Sequence, residues 1–198
     1  MFYTLLKAFF KILFKLAFRW EVKGQENIPA QGPLVIASNH QSLWDPPFLG
    51  TAATRKVYFM AKEELFFPVF GSIIKQLGAF PVKRGASDRH AITRAFELLK
   101  NDKVMAIFPE GTRSKTGALG TAGPGTVMIA GKMMAPIVPA AIIGSNFKLN
   151  KHFWPKVKVV FGKPIYFEVG VKQNKEFMHT KTAELMQAIQ NILDSNKE

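Results

Sequence analysis

Leu34-Val35-Ile36-Ala37-Ser38-Asn39-His40-Gln41-Ser42-Leu43-Trp44-Asp45-Pro46-Pro47 decides how the chain is read. Its first five residues form an apolar run of the length of a buried strand. The run breaks into a polar stretch holding a histidine, with a carboxylate five residues later. Pro46-Pro47 then suits the first turn of a helix, where the leading N–H groups lack partners in any case. A strand that ends in a polar loop and feeds a helix is the unit of an α/β protein, and such proteins place their chemistry just past the strand ends. Two readings of the pair stand side by side. A histidine held by Asp45 can work as a general base near neutral pH. Alternatively, Asp45 is the N-cap of the helix that starts at Pro46 and His40 is an ordinary loop residue.

Outward from this stretch, apolar runs and helical periodicities alternate along the chain. Strands are expected at Lys56–Met60, Ala79–Val82, Lys103–Phe108, Pro136–Ile143, Val157–Phe161 and Ile165–Phe167. Helices are expected at Pro47–Ala53, from Ser87 or Asp88 to about Lys100, at Val127–Met134 and at Glu176–Asp194. Between Glu63 and Gln76 the apolar spacing is helical, but Pro68 and Gly71 divide it into two short segments. Glu21–Gly32 reads as a connector. The alternation implies one α/β domain with a mixed, partly parallel central sheet flanked by helices, over residues 21–198. A chain of 198 residues is long enough for one such core.

The first twenty residues have a different character. Met1–Trp20 holds fifteen apolar residues, and the remaining five are Thr4, Lys7, Lys11, Lys15 and Arg19. At 100° per residue these five fall within an arc of about 120°. A narrow cationic stripe on a greasy helix is the pattern of an amphipathic helix lying on anionic lipid. Lys7, Lys11, Lys15 and Arg19 would meet headgroups, and Phe9, Phe10, Phe14 and Trp20 the acyl boundary. Three other readings compete. A signal peptide would place its charges ahead of the apolar core. A spanning helix would bury Lys11 and Lys15 at costly depth unless they snorkel. A helix packed on its own domain would rarely be apolar over two-thirds of its circumference.

Composition points the same way. A hydrophobic content of 47% with 18 phenylalanines favours a lipid surface or greasy ligand, and a net charge of +13 favours anionic partners. The chain has no cysteine, which excludes disulfides, thiol nucleophiles and thiolate metal sites. Four histidines without paired ligand spacing give no metal site. Nothing resembles a nucleic-acid reader, so charge alone argues for nucleic acid.

Two more polar stretches follow expected strands: Lys83-Arg84-Gly85 and Pro109-Glu110-Gly111-Thr112-Arg113-Ser114. If these ends adjoin His40, one crevice holds a base, carboxylates, a glycine turn and several cations. Arg84 and Arg113 could grip a phosphate with their forked donors, and Gly111 would let a backbone N–H approach an anion. Each arginine taken alone reads equally as a surface ion pair, and each glycine as turn chemistry.

Taken together, Asn39-His40-x4-Asp45, Gly78-Ala79-Phe80-Pro81-Val82-Lys83-Arg84, Phe108-Pro109-Glu110-Gly111-Thr112-Arg113-Ser114 and Ile137-Val138-Pro139-Ala140-Ala141 resemble the glycerolipid acyltransferases, specifically the 1-acylglycerol-3-phosphate (lysophosphatidic acid) acyltransferase family. The resemblance covers about residues 34–143. It departs from the family in Lys83, where an aspartate is common, and in Ala122-Gly123, where many relatives carry Phe-Lys.

The resemblance implies transfer of a fatty acyl group from a thioester, acyl-CoA or acyl carrier protein, to the sn-2 hydroxyl of lysophosphatidic acid, without cofactor or covalent acyl-enzyme. His40 would be the base and Asp45 its orienting partner. Arg84, Glu110, Gly111, Thr112 and Arg113, with Lys83, would bind the acceptor. The chain would sit peripherally on the cytoplasmic face of the cell membrane. Glycerol 3-phosphate or another lysolipid as acceptor, and a non-catalytic lipid-surface protein, are the alternatives.

Overall fold

Strand β2 (Leu34–Ser38) lies at the heart of a seven-stranded sheet, and all five of its residues are buried. A computed structural model describes residues 2–83, 88–147 and 153–196. The other strands are β1 (Arg19–Lys23), β3 (Val57–Lys62), β4 (Ala79–Val82), β5 (Val104–Ile107), β6 (Ile137–Ile143) and β7 (Lys156–Phe161). Their order across the sheet is β1-β7-β6-β2-β5-β3-β4. From β6 to β4 every pair is parallel; β7 runs antiparallel to β6, and β1 runs parallel to β7.

The expected mixed, partly parallel sheet is thus present, and its residues explain it. A parallel strand has both faces covered, so its sequence is apolar throughout rather than alternating. In β2, Leu34 and Ile36 enter one core, and Val35 and Ala37 the other. In β5, Val104 and Ala106 take the first side and Met105 the second. Helices α1 (Phe2–Ala17) and α2 (Asp45–Ala52) cover the first face. The other is covered by α4 (Arg89–Lys100), α5 (Gly125–Lys132) and α6 (Lys175–Ser195). A short helix α3 (Phe70–Gln76), preceded by a 3-10 turn at Glu63–Leu65, lies against β4. Asp88 caps α4 by accepting the Ala91 N–H at 3.1 Å. The alternative cap, Ser87, lies outside the described residues.

Two readings of the connectors change. Glu21–Gly32 is not wholly a connector, because Arg19–Lys23 forms the edge strand β1, registered on Lys156–Val160. Its charged residues hid it: Glu21 lies 3.4 Å from Lys156 and 3.0 Å from Lys23, so this edge is held partly by ion pairs rather than apolar burial. Ile165–Phe167 is not a strand. Only Ile165 bridges, to Ile137, at the start of β6 where β7 does not reach.

The N-terminal helix serves two partners. It ends at Ala17, so Arg19 and Trp20 belong to the sheet. Phe14 is wholly buried, its ring centroid 4.4 Å from that of Phe48 and 5.3 Å from that of Trp20. Trp20 is half-buried and stacked on Phe48. Phe10 lines a cavity beside α2. Lys7 donates through Nζ to the Ala53 carbonyl, and burial, reinforced by the Lys11 charge, draws its ammonium below the usual lysine range. Phe10, Phe14, Trp20 and Lys7 therefore face their own domain, which corrects their assignment to a lipid surface. Phe9, Lys11, Lys15 and Arg19 are exposed, and so are Phe2, Leu5, Ile12 and Leu16. On a helical wheel the inward residues of α1 span about 120° and the exposed apolar ones about 80°, with Lys11 and Lys15 in the remaining arc. The helix is greasy over two-thirds of its circumference because two distinct apolar faces adjoin.

At the other end of the fold's central pair, Asn39 continues β2 with its side chain. Its Nδ2 donates to the Ile142 carbonyl at 2.9 Å, and its Oδ1 accepts the Ile142 N–H at 2.8 Å. The amide thus supplies one further rung between β2 and β6 just before His40. Two losses of stability should follow, both measurable by urea unfolding. Phe14→Ala should cost about 3–5 kcal/mol, as emptying a packed aromatic site does. Asn39→Ala should cost about 2–4 kcal/mol, because it strands a buried N–H and C=O together.

Candidate active site

Strands β2 to β6 all point their C-terminal ends at one edge of the sheet, and β2 and β5 are direct neighbours there. The loops that follow them, residues 39–44 and 108–124, therefore meet over the same spot. This is where an open α/β sheet offers a crevice.

Asp45 organises the first loop. It is fully buried, and its Oδ2 lies 2.8 Å from His40 Nδ1. The same oxygen accepts the backbone N–H of Gln41 at 2.6 Å and of Ser42 at 2.7 Å. An oxygen accepting two N–H groups is an acceptor toward the ring as well, so Nδ1 carries the proton and Nε2 keeps its lone pair. The capping reading of Asp45 is thereby corrected. Asp45 is the first residue of α2, and its carboxylate turns back toward the loop rather than forward along the helix. Pro46 and Pro47 have no N–H to offer it, and the Phe48 N–H goes to the Trp44 carbonyl. The His40 ring is 8% exposed as a residue and stacks on Phe108, with centroids 4.0 Å apart and planes 16° apart. Packing on one face and a hydrogen bond at Nδ1 leave the ring a single orientation.

The second loop is tied to the first at three points, and Glu110 also braces the second loop internally. Glu110 Oε1 accepts the His40 N–H at 2.9 Å, and its Oε2 accepts the Gly120 N–H at 2.8 Å. The Ser114 N–H donates to the His40 carbonyl at 2.7 Å, and Gln41 Nε2 to the Gly117 carbonyl at 3.2 Å. Glu110 was expected to bind an acceptor, but both of its oxygens hold backbone. Gly111 likewise departs from its expected role as an anion's N–H donor. That N–H goes to the Phe108 carbonyl at 2.9 Å, and the residue sits at φ 67°, the left-handed region that favours glycine. Gly111 is there for the turn.

A cavity of about 520 Å³ opens beside His40. Phe108, Gly111, Arg113, Lys62 and Ile129 line it with the histidine. Arg113 is exposed and has no hydrogen bond or ion pair among the described residues, so its guanidinium is available to a ligand. Thr112 is exposed and does not line the cavity. Lys83 is also exposed, its ammonium 3.9 Å from Glu63, and stands outside the lining. Arg84 lies outside the described residues. Lys62 does not stand out in the sequence because the apolar run ends at Met60; β3 runs two residues further and delivers Lys62 to the crevice edge. Asn39 and Phe108 were visible only as motif letters. Nothing local in sequence says that an asparagine replaces a ladder rung or that a phenylalanine shelves a ring.

A second, almost wholly apolar cavity of about 290 Å³ adjoins the first, and Leu43, Pro46, Met60, Ala61 and Leu65 line both. Tyr3 and Phe10 of α1, Gly50 of α2, Phe59 of β3 and Ile74 and Leu77 by α3 form its walls. The site thus joins a fixed imidazole, two cations and a greasy slot.

Comparison with known proteins agrees with this geometry. The family model described as Acyltransferase matches residues 19–143, which take in β1 to β6 and both loops. A Bacillus subtilis (strain 168) protein named 1-acyl-sn-glycerol-3-phosphate acyltransferase is 31% identical over 186 residues, covering 93% of this chain and 89% of its own. A chloroplastic protein of that name from Brassica napus is 35% identical over 161 residues, but these are only 46% of its length. Among solved structures, the 1-acyl-sn-glycerophosphate (LPA) acyltransferase PlsC from Thermotoga maritima superimposes with a TM-score of 0.79 at 27% identity, over 99% of this chain and 80% of that one. With the match spanning the sheet, the His40 loop and the Glu110 loop together, the chain belongs to the acyltransferase family.

Proposed function

We propose that this chain acylates the sn-2 hydroxyl of 1-acylglycerol 3-phosphate, giving phosphatidic acid, at the surface of a membrane. The observation that carries the reading is the His40 ring, fixed at Nδ1 by Asp45, in a cavity that also holds Arg113 and Lys62 and continues into an apolar slot. The names of the relatives supply the acceptor.

The acceptor's phosphate pairs with Arg113 and Lys62. Arg84, and with less reach Lys83, are assigned to the same phosphate on the sequence alone. Forked guanidinium donors suit phosphate oxygens. His40 Nε2 takes the proton from the hydroxyl as its oxygen attacks the thioester carbonyl. Asp45 stabilises the imidazolium so formed. Collapse of the tetrahedral species breaks the carbon–sulfur bond, and His40 returns the proton to the departing thiolate. Substrate oxygen is the nucleophile throughout, so no acyl-enzyme forms. The apolar slot takes the fatty chain, whose burial is favourable by about 0.8 kcal/mol per CH₂. The donor is acyl-CoA or acyl carrier protein; the net charge of +13 suits either anionic carrier.

Membrane attachment follows from the outer face of α1. Phe2, Leu5, Phe9, Ile12 and Leu16 are exposed together, beside Lys11, Lys15 and Arg19. This face suits insertion into the headgroup boundary of an anionic bilayer. Among the described residues no helix is long and apolar enough to cross a membrane. The exposed face of α1 supports a peripheral seating, and the cytoplasmic face is the side we assign to it.

The test is product mass from anionic vesicles carrying lysophosphatidic acid. His40→Ala should lower acyl transfer at least about 10²-fold to 10⁴-fold with vesicle binding intact, the usual worth of a positioned base. Arg113→Ala should mainly raise KM for the phosphorylated acceptor, about tenfold to 100-fold. Near-native turnover without His40 would remove it as the base, and an unchanged KM would remove Arg113 from the phosphate.

A further inference from the structure

We propose that residues 66–73, the turn that leads into α3 and its first helical turn, form a second lipid-inserting element. The chain would then rest on the bilayer along two apolar lips, α1 and this turn, on either side of the greasy cavity. The inference rests on the membrane attachment of α1 argued above and adds a contact that the N-terminal helix does not provide.

The turn is built to push apolar side chains outward. Phe67 is 55% exposed, Val69 75% and Phe70 42%. The Phe67 and Phe70 rings stack on each other, with centroids 5.2 Å apart and planes 13° apart, so the two present one apolar plate. Behind them, Gly71 is buried hard against the Phe66 backbone, where an added Cβ would come within 2.7 Å. That approach leaves residues 67–70 on the outside of the bend. Val69 sits at φ 70° and ψ −66°, and the Phe70 N–H closes on the Pro68 carbonyl at 2.9 Å. This is a γ-turn of the rare, strained sense, and a β-branched residue is poorly suited to it. Glycine would relieve the strain. Packing inside the domain does not explain the valine, since most of it is exposed. Contact with an apolar phase does.

Three observations select a lipid surface as the occupant. First, the turn shares a cavity with α1: Tyr3, Lys7 and Phe10 line one side, Phe70, Ile74 and Leu77 the other. Second, Met1–Trp20 contains four cations and no acid, and residues 66–73 carry no charge at all. The first lip therefore complements an anionic surface, and the second brings to it only apolar side chains. Third, the cavity between them joins the one beside His40 through Leu43, Pro46 and Leu65. A two-sided seating would let a lipid acceptor pass from the bilayer to the base without crossing water.

The absence of cysteine makes the test direct. Single cysteines at Phe67→Cys, Phe9→Cys and Ala183→Cys would carry an environment-sensitive dye, and each labelled chain would be mixed with vesicles of phosphatidylglycerol and phosphatidylcholine. Position 183 is on the exposed face of α6 and serves as the control. The dye should brighten and shift to the blue at positions 9 and 67 and stay unchanged at 183. A shift at 9 but none at 67 overturns the second element and leaves attachment by α1 standing. No shift at either position overturns both. A shift at 67 in buffer alone, with sedimentation as a dimer, shows a second copy covering the patch and also overturns the proposal. In a separate measurement, Phe67→Gln with Val69→Gly should weaken vesicle partitioning about tenfold without lowering the melting temperature. Unchanged partitioning, or a loss that only tracks unfolding, contradicts the proposal.

Discussion

One buried carboxylate oxygen gathers the site. Asp45 Oδ2 receives His40 Nδ1 and two successive backbone N–H groups, so a single acceptor fixes both the shape of the loop and the tautomer of the ring. The carboxylate is available for this because the next two residues are prolines. Without N–H groups at the start of α2, nothing along the helix competes for it. The rest of the site is arranged around the loop so formed. Asn39 anchors it behind, to β6; Glu110 and Ser114 clamp its His40 peptide from the β5 side. Phe108 supplies the shelf under the ring. As the proposed base, a ring held by so many independent contacts would meet its substrate without reorganising, and this is the condition under which positioning lowers a barrier.

The sheet that positions His40 also borders the apolar cavity. Its two faces are unequal: α4, α5 and α6 bury one in an ordinary core, while α1 and α2 cover the other less completely and leave the apolar cavity beside β3. Helix α1 closes that cavity with its inner face and turns its outer face to the surroundings. On the proposed reading, a fatty chain in the cavity and the membrane surface would lie on opposite sides of one helix, about 10 Å apart. Lys7 is the odd member of that wall. Its ammonium is held by the Ala53 carbonyl, and burial draws it below the usual lysine range.

Much of this is legible in the order of residues. A five-residue apolar run that breaks at Asn39-His40 marks a central parallel strand, because only a strand covered on both faces lacks alternation. That places His40 at the reactive edge, and the repeat of the pattern at Val104–Ile107 places Glu110–Arg113 beside it. What sequence leaves open is which partner each group takes. Glu110 and Gly111 look like ligand-binding residues, yet their hydrogen-bonding groups are engaged by backbone groups far along the chain or within the turn itself. Lys62 looks like a strand's exposed end until the register of β3 on β4 carries it to the cavity. For α1, periodicity records which residues are apolar but not what covers them. Phe9 and Phe14 are indistinguishable as letters and lie on opposite faces. Strand β1 was hidden for the converse reason, since ion pairs to Lys156 and Lys23 do part of what apolar burial does elsewhere.

The central claim is that the Asp45 charge orients His40 and stabilises its protonated form during transfer. Replacing Asp45 by Asn keeps the size of the side chain and an oxygen for the Gln41 and Ser42 N–H groups, and removes the charge. The decisive measurement is the rate of acyl transfer to vesicle-borne lysophosphatidic acid by Asp45→Asn, read beside its melting temperature. The account predicts a fall of at least about 10²-fold, as for a base whose tautomer and charge are no longer held, in a protein that still folds and binds vesicles. A folded variant that transfers acyl groups at close to the native rate would contradict it.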